Sequence, residues 1–195
     1  MGEAAELIAD RAKLALCLFA AALLITACSS GDRPAIGGPF HLVDQNGRPR
    51  DQSMLKGRWS AVFFGYTFCP DVCPTTLQAL ADAETRLGPD AARLQVVFFT
   101  VDPARDTPGQ LKAYLSSSAF PKGAIGLTGA PAEVAAAAKA YKVFYQNQGS
   151  GRDYTVAHSS AVYLMDPQGR FERALTYDMA PAEMARQIAE AMKTG

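Results

Sequence analysis

The chain has 195 residues, 49% of them apolar and 19% charged, with 19 basic and 19 acidic side chains and a formal net charge of zero. That length supports one domain with a real core once any targeting segment is removed, and the composition is that of a globular protein. A balanced charge without clustered Lys and Arg excludes a nucleic-acid footprint, so no nucleic-acid partner is expected.

At the front, Arg11 and Lys13 precede the apolar run Leu14–Ala27, "LALCLFAAALLITA". As a helix this run rises only ~21 Å, short of the ~30 Å hydrocarbon core of a bilayer. It suits the apolar stretch of a secretory signal, with an uncleaved anchor or a buried helix as the alternative. Glu3, Glu6 and Asp10 make the approach to the run unusually acidic. The segment "LITAC" resembles a bacterial lipobox, whose cysteine, here Cys28, is acylated and becomes the new N-terminus. On that reading residues 1–27 are a lipoprotein signal peptide, residues 28–38 a tether and residues 39–195 the domain. Cys17 leaves with the signal and Cys28 carries lipid. Cys69 and Cys73 then keep their thiols in an oxidising, periplasmic or otherwise extracytoplasmic compartment at the membrane surface.

From residue 40 onward strands and helices alternate. "FHLVDQNGRPR" carries Asn46-Gly47 between two short extended runs, the signal of a hairpin. "WSAVFFG" (59–65) and "LQVVFFTV" (94–101) are continuous apolar runs of strand length, as expected of strands buried on both faces. Between them residues 74–88 are predicted as a helix, with Pro74 at its first position, apolar side chains at helical spacing and Gly88 at its end. Thr107-Pro108 opens a second helix through Leu115, and "AIGLTG" (124–129) is a short strand. Pro131 leads an Ala-rich third helix to about Tyr141, followed by a short strand at "VFYQ" and a flexible "NQGSGRD". "SAVYLMD" and "RFERALTY" flank "DPQG" as a second hairpin, and a last helix runs from Pro181 to Met192. This order predicts an α/β fold, a central mixed β-sheet flanked by helices with an N-terminal β-hairpin. A cysteine pair between a buried strand and the first long helix points to a thioredoxin-like fold, by analogy.

"GYTFCPDVCP" (65–74) places Cys69 and Cys73 four positions apart, each followed by proline. A residue before proline is disfavoured in the α region, so both are expected outside regular helix, with Cys73 at or next to the N-cap. Unpaired N–H groups and the helix dipole there favour a thiolate on Cys73. Pro70, Asp71 and Val72 give one more intervening residue than thioredoxin-type redox motifs have, leaving room for a metal between the sulfurs. A structural disulfide is the plainer alternative, though a loop this short constrains little of the unfolded chain. "VCPTT" also resembles the cysteine neighbourhood of peroxiredoxins. Their pattern needs a threonine three residues before the nucleophile, and here those positions hold Pro70 and Tyr66.

His41 lies in the first hairpin among polar neighbours, as a surface residue would. His158 precedes a buried strand. Alone it reads as a hydrogen-bonded structural residue. Beside two thiolates it completes a three-ligand set suited to copper, which tops the divalent affinity order for nitrogen and sulfur sites. Zinc with a water could use the same groups. Asp102 and Asp106 follow a buried strand, where functional residues gather. Asp106 is expected only to help Thr107 start a helix, while Asp102 is a candidate to support the site. Met184 and Met192 fit the apolar face of the last helix and are assigned to the core.

Three stretches in order, "GYTFCPDVCPTTL" (65–77), "TVDPARDTPGQLKAYL" (100–115) and "HSSAVYLMDPQGRF" (158–171), resemble the signature blocks of the Sco/SenC family. These are thioredoxin-like copper proteins involved in assembling cytochrome c oxidase, and the similarity covers roughly residues 38–193. The resemblance implies Cys69, Cys73 and His158 as copper ligands, Cu(I) or Cu(II), with a reversible Cys69–Cys73 disulfide. It implies the copper-binding subunit of cytochrome c oxidase as partner, at the outer face of the cytoplasmic membrane. A monomer is expected, held there by the lipid on Cys28. Delivery of copper is the leading expectation, and thiol–disulfide reduction of the oxidase subunit is the rival. Ala157 departs from the acidic residue common before the family's histidine.

Overall fold

The computed structural model describes residues 36–151 and 153–194. The predicted signal peptide, Cys17, Cys28 and most of the tether lie outside the described residues. The last tether residues, 36–38, pack on the domain: Ile36 lies against the core and the Gly37 N–H donates to the Ala140 carbonyl. Among the described residues, no helix is long and apolar enough to cross a membrane.

The strands are β1 (His41–Asp44), β2 (Pro49–Asp51), β3 (Trp59–Gly65), β4 (Leu94–Thr100), β5 (Ile125–Thr128), β6 (Tyr145–Gln148), β7 (Thr155–His158), β8 (Val162–Met165) and β9 (Phe171–Leu175). The helices are α1 (Val72–Leu87), α2 (Pro108–Leu115), α3 (Pro131–Ala140) and α4 (Pro181–Thr194). Seven strands form one mixed sheet in the order β2-β1-β5-β4-β3-β8-β9, while β6 and β7 form a separate antiparallel ribbon. Pairing is parallel across β3, β4 and β5 and antiparallel elsewhere. The arrangement is the expected thioredoxin-like α/β fold with its N-terminal hairpin.

Every residue of β3 and β4 is buried, as their unbroken apolar runs require. Because strand side chains alternate, the two runs feed two cores. Trp59, Ala61, Phe63, Leu94, Val96 and Phe98 meet α1, α2 and α4 through Leu77, Leu80, Leu111 and Ile188. Val62, Phe64, Val97 and Phe99 face the other way, towards Val134, Ala137 and Tyr141. The polar members are paired: Gln95 donates to the Ser60 hydroxyl at 2.8 Å and to the Met54 carbonyl at 2.9 Å. Met184 and Met192 are buried in the first core, as expected.

Both hairpins of the main sheet use one device. In "DQNGR" Asp44 Oδ1 accepts the N–H groups of Asn46 and Arg48, and in "DPQGR" Asp166 Oδ1 accepts those of Gln168 and Arg170. The other carboxylate oxygen takes the guanidinium of Arg50 or Arg170. Gly47 and Gly169 supply the positive φ, 75° and 78°, that each turn needs.

Two boundaries depart from expectation. α1 begins at Val72, so Cys73 is its second residue and Pro74 its third. Proline is tolerated there because the first four N–H groups of a helix have no intrahelical partner. The strand expected over "VFYQ" lies two residues later: β6 runs to Gln148 and pairs with β7, register Tyr145↔His158, with positive φ at Gly149 and Gly151 beyond it.

Replacing Asp166 with alanine strips two backbone donors and an arginine of their acceptor. Asp166→Ala is expected to lower stability by about 1–3 kcal/mol. Urea unfolding should show a lower midpoint with an unchanged slope.

Candidate metal centre

The cysteine loop is built where β3 ends. Gly65 closes the strand, and a Cβ there would stand 2.6 Å from Cys73 Sγ and 2.9 Å from the Phe98 ring. Glycine is therefore what lets the sulfur seat against the sheet. The chain then turns, with the Cys69 N–H donating to the Tyr66 carbonyl at 3.2 Å. Thr67 is gripped by Asp106: its N–H donates to Oδ2 at 3.0 Å and its hydroxyl to Oδ1 at 2.6 Å. Thr100 completes the carboxylate's shell from the end of β4, at 2.7 Å. Asp106 is fully buried, and burial raises its pKa against the hydrogen bonds from Thr100 and Thr67.

Cys73 is fully buried, and its N–H donates to Cys69 Sγ at 3.4 Å. His158 reaches the pair from the end of β7. Its Nδ1 lies 2.8 Å from the Ser159 carbonyl, which can only accept, so Nδ1 carries the proton. Nε2 then faces Cys73 Sγ at 3.6 Å with its lone pair free. The edges of Tyr66 and Phe63 confine the ring, at centroid distances of 5.8 Å and 6.3 Å. The donor atoms of Cys69, Cys73 and His158 all lie within 4.8 Å of one another. Donors ~2.0–2.3 Å from one ion stand roughly 3.3–3.8 Å apart, so this set needs only a small contraction to close on a metal. A cleft of about 430 Å³ beside the pair, bordered by Tyr66, Pro70, Val72 and Tyr177, leaves it open on one side.

The thiolate belongs to Cys69 rather than to Cys73, contrary to the expectation from the helix start. The hydrogen bond from the Cys73 thiol is the main cause. Half-burial opposes it, and the backbone N–H groups of Cys73 and Asp71 reinforce it, lowering the Cys69 pKa to about 4. The same contact with Cys69, then burial, then the charge on Cys69 push the Cys73 thiol far up. The helix N-terminus does act, but its N–H points at the neighbouring sulfur.

Of the other residues singled out in the sequence, Asp102 touches neither sulfur nor imidazole. It accepts from Arg105 and from the hydroxyl of Tyr154, on the segment leading into β7. Asp106 was expected only to start a helix. Thr107 alone caps α2, its hydroxyl accepting from the Gln110 N–H at 3.2 Å, while Asp106 braces the cysteine loop. No local pattern encodes that bond, which spans 39 positions. His41 is exposed on β1, separated from β3 by β5 and β4. Ala157 lines the cleft beside His158.

The SCO1/SenC family model matches residues 29–193. The chain belongs to this family. It is 44% identical over 147 residues to the mitochondrial protein SCO1 of Saccharomyces cerevisiae, covering 73% of this chain and 49% of that one. It thus spans about half the length of that relative. The solved structure of Bradyrhizobium japonicum ScoI with copper bound is 42% identical, with a TM-score of 0.73 over 80% of this chain and 99% of that one. Yeast Sco1 with copper bound is 40% identical, with a TM-score of 0.76 over 83% of this chain and 91% of the other.

The split between the two sulfurs is directly measurable. In the reduced, metal-free protein a small alkylating agent should modify Cys69 first, with a rate that half-rises near the pKa of about 4 and is flat through neutral pH. Cys73 should stay unlabelled under the same conditions. Peptide mapping that finds Cys73 labelled first would overturn the assignment.

Proposed function

We propose that this chain binds copper through Cys69, Cys73 and His158 and delivers it to the copper-binding subunit of cytochrome c oxidase during assembly. The observation that carries this is the convergence of the three donor atoms within 4.8 Å at an open cleft. Two soft sulfurs and one imidazole suit copper in either oxidation state. The copper bound to the Bradyrhizobium and yeast relatives, at 42% and 40% identity, supports the same cargo here. Copper is cargo, so the site must release as well as hold it. Cys69 offers a ready thiolate, Nε2 a free lone pair, and Cys73 a thiol that must lose its proton as metal enters.

Acylation of Cys28 would hold the domain at the extracytoplasmic membrane surface, where a membrane-embedded oxidase presents its subunit. The apolar run before Cys28 supports that reading. Cys28→Ser is expected to release the protein from membranes or leave the precursor unprocessed, as fractionation and lipid labelling would show. A lipid-labelled, membrane-bound mutant excludes the anchor.

The thiolate on half-buried Cys69 also favours a second reading, a thiol–disulfide reductase. Cys69 would attack one sulfur of a disulfide in the oxidase subunit, and the other sulfur would leave as a thiolate. Cys73 would then give its proton to the partner thiolate that left first, attack Cys69 Sγ and release the second partner sulfur. Two electrons would have passed to the partner, leaving a Cys69–Cys73 disulfide.

His158 separates the readings. His158→Ala should weaken copper binding by about 100-fold or more, beyond the ~10–100-fold that losing a merely orienting partner costs. Disulfide reduction should survive, since Cys69 keeps its hydrogen bonds from Cys73. Failure of oxidase assembly in that mutant supports delivery, and assembly without copper binding supports the reductase. A folded mutant that binds both copper oxidation states as tightly as wild type removes His158 from the site.

A further inference from the structure

The three donors sit on two segments that share no strand pairing. Cys69 and Cys73 follow β3 of the main sheet, whereas His158 ends a two-stranded ribbon outside it. An isolated two-stranded ribbon is marginal in water, so its position must be set by contacts with the body. Val156 of β7 is buried in the second core, and the contacts of Tyr154 at the base of the ribbon converge on the short turn after β4. Within it the N–H groups of Arg105 and Asp106 both donate to the Asp102 carbonyl, at 3.2 Å and 2.9 Å, which locks the turn's two ends together.

Each end of the turn holds one donor-bearing segment. Asp106 grips Thr67, two residues before Cys69, through both carboxylate oxygens. Asp102 accepts from the Tyr154 hydroxyl, and Arg105 donates to the Tyr154 carbonyl at 3.0 Å. The Arg105 guanidinium also lies 3.7 Å from the centre of the Tyr154 ring, against 4.8 Å for Phe68 on the cysteine loop. Its side chain is 17% exposed and its ion-pair partner Asp102 is 3% exposed, so these contacts are shielded from bulk water and resist screening. The cation over an aromatic face adds to the hydrogen bonds.

We propose that the Asp102–Asp106 turn is one clamp that sets the separation of His158 from the cysteine pair, with Asp102, Arg105 and Tyr154 as positioning residues. This rests on the copper reading above for its effect on metal, but not for its effect on the ribbon. Tyr154 touches no donor atom. It sits four residues before His158, immediately ahead of the strand that carries the histidine, so loosening it moves the imidazole without altering any ligand.

Tyr154→Phe is the mildest test, since it keeps the ring under the guanidinium and removes only the hydroxyl. In the full-length reduced protein without metal, amide hydrogen exchange across residues 145–158 should accelerate while the β3 and β4 amides stay protected. Unchanged exchange in the ribbon overturns the clamp. With Cu(II) added, the mutant should bind about tenfold more weakly, within the ~10–100-fold range for orienting partners, and show an altered Cu(II) electron-paramagnetic-resonance spectrum. In a His158→Ala background the same substitution should cost nothing further, because it acts through the histidine. An undiminished cost there, or unchanged copper affinity beside faster exchange, shows that the clamp does not set the ligand. If His158→Ala alone leaves copper binding intact, the copper reading of His158 fails, and ribbon exchange still decides whether the clamp exists.

Discussion

Parallel pairing of β3 with β4 is the constraint from which the site follows. Side by side from Trp59↔Leu94 to Gly65↔Thr100, the two strands end at the same level and release their loops at the same edge. In open α/β sheets this carboxyl edge is where ligands gather. Here it brings "YTFCPDVC" against "VDPARDTP", and Asp106 of the second segment closes on Thr67 of the first. A buried carboxylate is tolerated only when its lone pairs are filled, and three donors fill this one. Position of the cysteine loop is therefore set by sheet topology together with the Thr67 contacts that the topology brings within reach of Asp106.

The two sulfurs sit in different media, and that difference divides their chemistry. Cys73 is packed against Gly65 and the Phe98 side of the first core, where a charge is costly. Cys69 is half-exposed at the cleft, with the Cys73 thiol and backbone N–H aimed at it. One negative charge is thus held where a partner or a metal can reach it, and one proton is kept in reserve beneath it. A pair of equally exposed thiols would share no such order of events. Thiol exchange needs an attacking and a resolving sulfur, and metal capture needs one ready donor and others that follow. The same asymmetry serves both.

Much of this was legible in the sequence. The apolar runs 59–65 and 94–101 marked the central strands because both their faces are buried, which leaves no polar alternation to misread. The Asn-Gly and Pro-Gln-Gly turns marked the hairpins because only a few residue types accept their backbone angles. Cys69, Cys73 and His158 stood out as the reactive side chains, and the structure brings their donor atoms together. The start of α1 was misjudged because proline preference was applied to the first helical position, while the first turn as a whole tolerates it. Placement of the thiolate was missed because it depends on where a backbone N–H points, which spacing does not show.

What stayed hidden is non-local. The bonds of Asp106 to Thr67 and of Tyr154 to Asp102 join residues 39 and 52 positions apart, so no window of sequence contains both partners. The ribbon of β6 and β7 was obscured for a related reason. Its residues are mostly polar and only Val156 is fully buried, so the apolar alternation that makes a strand readable is weak. Such a ribbon has little core of its own to fix it. The three donors are accordingly held by different contacts: Cys73 is packed in the first core, Cys69 lies on the loop that Asp106 braces, and His158 ends a ribbon that meets the body through Val156 and Tyr154. If copper is the cargo, donors held by separate contacts allow the imidazole to be gained or lost without disturbing the cysteine pair.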